Sequence, residues 1–360
     1  MSKVKFEDVA TRVNTREDKD NTSLLYYVGG DHIESGELVV HNRGLIEGST
    51  IGPMFYFGFK KGDILLVSRN PHLRKAAMVD FDGICSEKTF VIGTKDEKVL
   101  LQKYLAVIVQ SDSFWNYCEE HKSGGVNFFV NWSTLAKYEF DLPDIEEQRR
   151  ISDKVWAAYG VKESYRRLIK ATDEMVKSRF IEQFSKPEIT LVPLIDLCSL
   201  FIDGDWIEAK DQSDSGYRLV QTGNVGVCEY LDKKDHSRFV SEETFKRLNC
   251  TEIHSGDILF SRLPDPIGRC CIIPKDFPKA ITAVDCTITR LKDNCLPQYL
   301  MIYTTTTMYS EQIKKCVTGT TRQRISRGNL AKITIPLPDK LKQVEFVNLV
   351  HQADKSKYLN

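Results

Sequence analysis

The sequence predicts an α+β protein. Two similar domains, each a mixed β-sheet with helices, are joined by a long α-helix, and a second, shorter helix at the C-terminus forms an antiparallel pair with it. Three observations lead there: motifs recur in the same order in both halves, each half mixes strand-like and helical runs, and a proline-free stretch between them repeats apolar residues at helical spacing. At 360 residues the chain has room for two or three domains. Its 41% hydrophobic and 28% charged residues support packed cores and argue against a largely disordered chain.

The repeat is read first. GDILLVSR (residues 62–69) recurs as GDILFSR (256–262), one residue shorter, which puts Arg69 and Arg262 in equivalent places at the ends of two short strands. KYL (103–105) returns as QYL (298–300), each opening a helical stretch. An offset of 195 residues takes Leu135 and Lys137 to Leu330 and Lys332, Gly124 to Gly319, Pro143 to Pro338, Asp144 to Asp339 and Gln148 to Gln343. Near the start of each half, GGDHI (29–33) faces TGNV (222–225). Chance does not preserve order and spacing in this way, and the period is too long for a solenoid, so each copy is a whole domain.

Within each copy, β-rich runs come first, such as LLYYVGG, GDILLVS and KTFVIG, or YRLVQTG and CCIIP. Helical stretches follow (KYLAVIVQSDSFWNYCEEH, QYLMIYTTTTMYSEQIKKC), then a glycine-containing loop and a closing strand, KYEFDLP or KITIPLP. Asp144 and Asp339 sit where helix N-caps belong, directly after a proline that stops the strand. From residue 144 to about 186 there is no proline and one glycine, Gly160. Ile145, Ile151, Val155, Ala158, Val161, Tyr165, Leu168, Met175, Val176, Phe180 and Phe184 recur there at helical spacing. Such a helix is about 60 Å long, one strand of a helix pair or coiled coil. The expected boundaries are 1–143, 144–187, 188–338 and 339–360. The last helix is roughly half as long as its partner and leaves part of the apolar stripe uncovered. Tyr165, Leu168, Met175 and Phe180 are therefore expected to dock another protein.

Composition excludes several functions. Fifty basic residues balance fifty acidic ones, so nucleic-acid binding would have to come from local basic patches. No run of about eighteen apolar residues and no apolar signal core occur, so a cytoplasmic protein is expected. The ten cysteines are scattered, without a CxxC, and read as buried reduced thiols, with no metal site expected. There is no Asn/Asp-Pro-Pro-Tyr/Phe methyltransferase motif, the nearest string being PDPIG (264–268), and no GxxxxGK[ST], GxSxG or HExxH. Glu146 and Glu147 invite a nuclease reading, but they open a helix and suit the positive end of its dipole. No catalytic residue is expected.

Two diverged copies, each closing on a strand, a Leu-Pro and a long helix, resemble the specificity (S) subunit of type I restriction–modification systems. DLPDIEEQRRI (141–151), IPLPDKLKQ (335–343), both GDIL runs and GTTRQRISRGNLAKI (319–333) carry the resemblance. It implies two target-recognition domains, each reading half of a bipartite DNA sequence, on helices that set the gap and dock two methyltransferase subunits. These recruit the restriction subunits. The subunit itself is non-catalytic and holds no cofactor; S-adenosylmethionine, ATP and Mg belong to its partners. The C-terminal helix is shorter than the family's usual one. An alternative is the DNA-recognition subunit of a type IIB-like restriction–methylation system, and a different class is a helical interaction scaffold that binds no DNA.

The strongest basic feature lies between Glu311 and Lys332, where Lys314, Lys315, Arg322, Arg324, Arg327 and Lys332 are opposed by Glu311 alone. A charge run is usually a solvated face. In this repeat, Thr320, Thr321, Arg322, Gln323, Arg324 and Arg327 become candidate contacts to phosphates and guanine edges. The matching segment HKSGGVNFFVNW (121–132) offers Lys122, Asn127 and Asn131, with Phe129 and Trp132 read as core. Arg69 and Arg262 are candidates for DNA contact or for structural ion pairs. Gln221, Thr222 and Asn224, with Asp31 and His32, are weaker candidates at strand-to-loop junctions.

Overall fold

A computed structural model describes residues 2–319 and 323–355. It divides into two compact units, Met1–Tyr165 and Arg166–Asn360, and the division falls inside one helix.

In the first unit, Ala10–Val13, Thr89–Thr94, Ile64–Val67 and Ala76–Met78 form an antiparallel sheet in that spatial order. All four residues of Ile64–Val67 are buried, as befits a strand covered on both faces. A second, mixed sheet runs Gly44–Leu45, Tyr26–Val28, Gly83–Ser86 and Phe55–Phe59, with Tyr26–Val28 parallel to Gly83–Ser86. One core cluster lies between the sheets around Val28, Phe59 and Leu65. Another is built from Phe6, Phe90, Leu105, Phe114 and Trp115, under helices Gln102–Ile108 and Asp112–Glu120. The closing strand Glu139–Leu142 pairs antiparallel with Ser2–Lys5.

The second unit repeats the plan. Cys198–Asp203, Cys286–Leu291, Ile258–Ser261 and Cys270–Ile272 make the antiparallel sheet, and Tyr217–Val220 runs parallel to Ala280–Thr282 beside Phe239–Val240. Helices Pro297–Thr304 and Thr307–Cys316 begin 195 residues after those of the first unit, and Thr334–Pro336 closes on Leu191–Pro193. Even the cap recurs: Ser111 accepts from the Phe114 N–H, and Thr306 from the Tyr309 N–H. A helix at Glu242–Arg247 is an addition of the second unit among the described residues.

Hydrogen bonding corrects the alignment of the arginines. The Ser68 N–H donates to the Lys88 carbonyl, and its own carbonyl accepts from Val130. The Arg262 N–H donates to Asp285, and its carbonyl accepts from Ile325. Arg262 therefore occupies the place of Ser68, and Arg69 lies one residue beyond. The two strands are equally long, four residues each, so the shorter second run brings its arginine one residue closer to the strand.

The central helix is continuous over 40 residues, Ile145–Phe184. Asp144 caps it, accepting from the Glu147 N–H at 2.9 Å, and Asp339 does the same for Lys342 at 3.0 Å ahead of the last helix, Lys340–Lys355. Gly160 is exposed with open space around it, and the helix runs through it. Residues 164–171 are exposed on every face, more than two turns of helix with no covered side. Further on, Val176, Phe180 and Phe184 enter the second unit's core, where Phe346 of the last helix lies 5.5 Å from the Phe180 ring and 5.2 Å from Phe184.

No described helix is long and apolar enough to cross a membrane. All ten cysteines are free thiols and eight are buried, leaving Cys228 exposed and Cys316 half-buried.

Candidate nucleic-acid interface

Each unit carries a short hairpin just before its closing strand. In the first, Ser123 bridges Phe129 antiparallel. In the second, Val317–Thr318 pairs with Arg324–Ile325, so Thr318 faces Arg324 at the same offset of 195. The turn starts at Gly124 in one and Gly319 in the other, with φ of +98° and +97°. Only glycine adopts that conformation without strain, and a Cβ on Gly124 would stand 2.7 Å from the Asn127 carbonyl oxygen. The two hairpins are thus paired and opened alike, and they differ in the described residues they display. Asn127 and Asn131 are exposed in the first, and Gln323, Arg324 and Arg327 in the second. Thr320, Thr321 and Arg322 lie outside the described residues.

The first hairpin leans on Arg69. The Asn70 N–H donates to Phe128, the Val130 N–H donates to Ser68, and the Arg69 guanidinium stands 5.7 Å from the Phe129 ring centre. Lys122 is engaged within the fold, 2.7 Å from Glu119 and over the Phe128 ring. Asn131 takes the N-cap position of helix Trp132–Leu135 without capping it through its side chain. Trp132 packs on Phe6 and Phe90, as its core reading requires.

Two candidates are corrected. Arg262 is 8% exposed, donates to the Val284 carbonyl at 2.7 Å and stands 3.3 Å from Asp203 and 3.8 Å from Asp285, so it is a structural ion-pair residue turned into the fold. Phe180, expected to dock a partner, is fully buried in the second unit's aromatic core. Apolar periodicity counts both faces of a helix, and the covered face is the one that Phe180 serves. Tyr165, Leu168 and Met175 are exposed, with Val161 and Ile169 beside them.

Gln221 and Thr222 begin a tight turn that also has its copy. The Gln221 N–H donates to Asn224 Oδ1 at 3.0 Å, and the Gly29 N–H to His32 Nδ1 at 3.1 Å. The side chains of His32 and Asn224 thereby hold turns. Under each turn lies a cation that sequence reasoning missed. Lys75 Nζ donates to the Gly30 carbonyl at 2.6 Å. Arg269 donates to the carbonyls of Val225, Thr222, Leu263 and Pro266 at 2.6–3.1 Å, and burial lowers its affinity for its proton. Above the second turn is a cleft of about 320 Å³, whose other wall is Lys233, His236 and Arg238.

One donor set could be read as a metal centre. Ligand atoms of Glu37, His41 and Glu163 lie within 4.8 Å of one another. Lys162 Nζ, however, already stands 2.9 Å from the buried Glu37 carboxylate, and the Tyr159 hydroxyl donates to it at 2.9 Å. That ammonium supplies the countercharge a metal would bring, and the cluster ties the segment 37–41 to the central helix within the first unit. Burial and the Glu37 charge push the Tyr159 phenol well above its ordinary value.

Comparison with known proteins agrees with this architecture. Residues 188–359 match the family described as type I restriction modification DNA specificity domain. A solved structure described as the structural basis of complex assembly and conformational transition of the type I R-M system is similar at 21% identity over 99% of this chain and 90% of that one, with a TM-score of 0.53. The HsdS subunit from Thermoanaerobacter tengcongensis (21% identity, TM-score 0.41) and a type I restriction-modification S subunit from M. genitalium (12%, 0.49) are matched over the same shares of each chain. No curated protein matches. The resemblance read from the sequence is borne out by the family match over the second half and, as a fold, over nearly the full length.

Proposed function

We propose that this chain, whose residues 188–359 match the type I restriction modification DNA specificity domain, is the specificity subunit of a type I restriction–modification complex and reads a bipartite DNA site. The first target-recognition domain (1–143) takes one half-site and the second (188–338) the other, and the helical regions 144–187 and 339–360 set the unread gap. One observation carries the reading. The same hairpin, opened by the same left-handed glycine, presents Asn127 and Asn131 in one unit and Gln323, Arg324 and Arg327 in the other. Equal scaffolds with unequal tips are what a reader of two different half-sites needs. Asparagine pairs bidentately with adenine and arginine with guanine, while phosphate contacts supply most of the affinity.

The chain performs no chemistry in this scheme. Two methyltransferase subunits dock on the exposed Tyr165, Leu168 and Met175 of the central helix, and the restriction subunits join through them. S-adenosylmethionine, ATP and Mg are bound by those partners, in the cytoplasm. Co-expression with an adenine methyltransferase tests the reading: a stable complex that binds duplex DNA is expected. A chain that joins no methyltransferase and binds no DNA would leave only the helical-scaffold alternative.

A further inference from the structure

The turn at Gln221 and Thr222 and its copy at Gly29 and Gly30 share backbone geometry and an underlying cation, yet their surroundings differ in charge. The first turn is topped by Asp31, whose side chain is 83% exposed. The second has Gly223 in that place, and a Cβ built there would stand 3.3 Å from Lys233 Nζ, so the lysine lies directly over the turn. Lys233, His236 and Arg238 come from the loop between Tyr217–Val220 and Phe239–Val240, and all three are exposed. Their carboxylate neighbour is occupied: Asp232 is held by Arg218, with Lys234 4.0 Å away. Asn224 is spent on the turn itself, donating to the Leu231 carbonyl at 3.0 Å. Among the described residues, the side chains of Thr222, Lys233, His236 and Arg238 make no hydrogen bond or ion pair within the fold, while Gln221 shares a capping box with Asn224. Two full positive charges, an imidazole, an amide and a hydroxyl thus line one cleft of about 320 Å³, and among the described residues no ion pair engages either charge. That size is at the low end of ligand clefts. Arg269 fixes the floor through the Thr222 and Val225 carbonyls, so the site is preorganised.

We propose that this cleft binds a phosphodiester of the DNA backbone, with Lys233, Arg238 and His236 facing the phosphate and Gln221 and Thr222 donating to the adjoining sugar–phosphate. The inference rests on the DNA-reading function above and adds to it an anchor that the first unit lacks. A phosphate anchor fixes position and carries no sequence preference. The two halves then contribute unequally to affinity, and the second unit holds the duplex while both read it.

The test measures binding of the full-length chain to a mixed-sequence duplex DNA across a salt series, for the unaltered protein, Lys233→Gln with Arg238→Gln together, Arg238→Gln alone, and Lys234→Gln. Lys233 and Arg238 make no ion pair in the fold, Lys234 makes one long contact to Asp232, and unchanged thermal melting checks that each variant is intact. The double variant is expected to bind about tenfold more weakly, with a salt slope shallower by about 1 for each phosphate it no longer neutralises. Arg238→Gln should show part of that weakening, and Lys234→Gln none. Unaltered protein that binds while the double variant keeps its affinity and slope overturns the cleft and leaves the DNA reading standing. Equal weakening in the double variant and in Lys234→Gln also overturns it, since charge anywhere on the loop would then suffice. Unaltered protein that binds no duplex refutes the DNA reading and this inference with it.

Discussion

Gln148 and Gln343, 195 residues apart, are both buried and make the same three hydrogen bonds at the start of equivalent helices. Gln148 Oε1 accepts from the Leu101 N–H at 3.0 Å, and its Nε2 donates to the Val99 and Pro143 carbonyls at 2.9 Å. Gln343 accepts from the Leu296 N–H at 2.9 Å and donates to the Asn294 and Pro338 carbonyls at 2.9 and 3.0 Å. Every partner is displaced by the same offset. Each amide stitches the loop before Gln102 or Pro297 to the Leu-Pro that ends the closing strand, and so ties each unit to its helix.

The pair makes a stability prediction. Gln343→Ala removes one donor pair and one acceptor from a buried site and leaves a backbone N–H and two carbonyls without partners, which costs about 1–3 kcal/mol. Gln148→Ala should cost a comparable amount. Urea unfolding of the two variants checks this, and a loss in one without the other would mean that the repeat is not energetically equivalent.

The second hairpin predicts a DNA phenotype. Arg324→Ala with Arg327→Ala should weaken cognate binding and flatten its salt dependence by about 2 if both side chains meet phosphates. The exposed Asn127→Ala in the first hairpin should instead relax base preference in one half-site by about 1–3 kcal/mol with little change in slope. Competition binding at several salt concentrations separates the two effects.

On the central helix, exposure predicts opposite outcomes for neighbouring residues. Leu168→Asp with Met175→Asp should abolish co-purification of the methyltransferase and leave the melting temperature unchanged, because both side chains face solvent. Phe180→Asp should unfold the second unit, since it would bury a carboxylate among Phe184, Tyr299, Tyr303 and Phe346. Circular dichroism and pull-down on the same preparations decide both points.

The thiols predict an alkaline limit. Burial pushes Cys85, Cys118, Cys198, Cys271 and Cys295 from their ordinary 9.0 up to about 12. A raised value means that the folded state holds protons the unfolded state has lost, so stability is intact below about pH 9 and falls as pH climbs toward about 12. At neutral pH the native protein should alkylate at Cys228 and Cys316 at most, and at all ten sites in denaturant. Melting curves and thiol counting read these outcomes.

Much of this was legible in the sequence because the second half of each copy keeps its spacing. The Gly124–Gly319, Asp144–Asp339 and Gln148–Gln343 pairs each do backbone work that tolerates no insertion. The GDIL arginines misled for a local reason: matching terminal letters hid a one-residue shift, and along a strand one residue turns a side chain to the other face. Periodicity put Phe180 on the helix stripe but could not tell the face sealed by the second unit from the face left bare. Lys75 and Arg269 were invisible because cations read as surface residues, whereas these two serve backbone carbonyls. Lys233, His236 and Arg238 sit where the copies diverge, so no repeat drew attention to them.

The central claim is that two unlike readers on one helix choose a split DNA sequence for a partner to modify. Sequencing adenine methylation across the genome of a host that expresses the chain with its methyltransferase tests this most directly. The account predicts one bipartite motif, two short specified halves separated by a fixed number of unread base pairs, with a methylated adenine in each half. Methylation confined to a contiguous motif, or a pattern unchanged when this chain is removed, would contradict it.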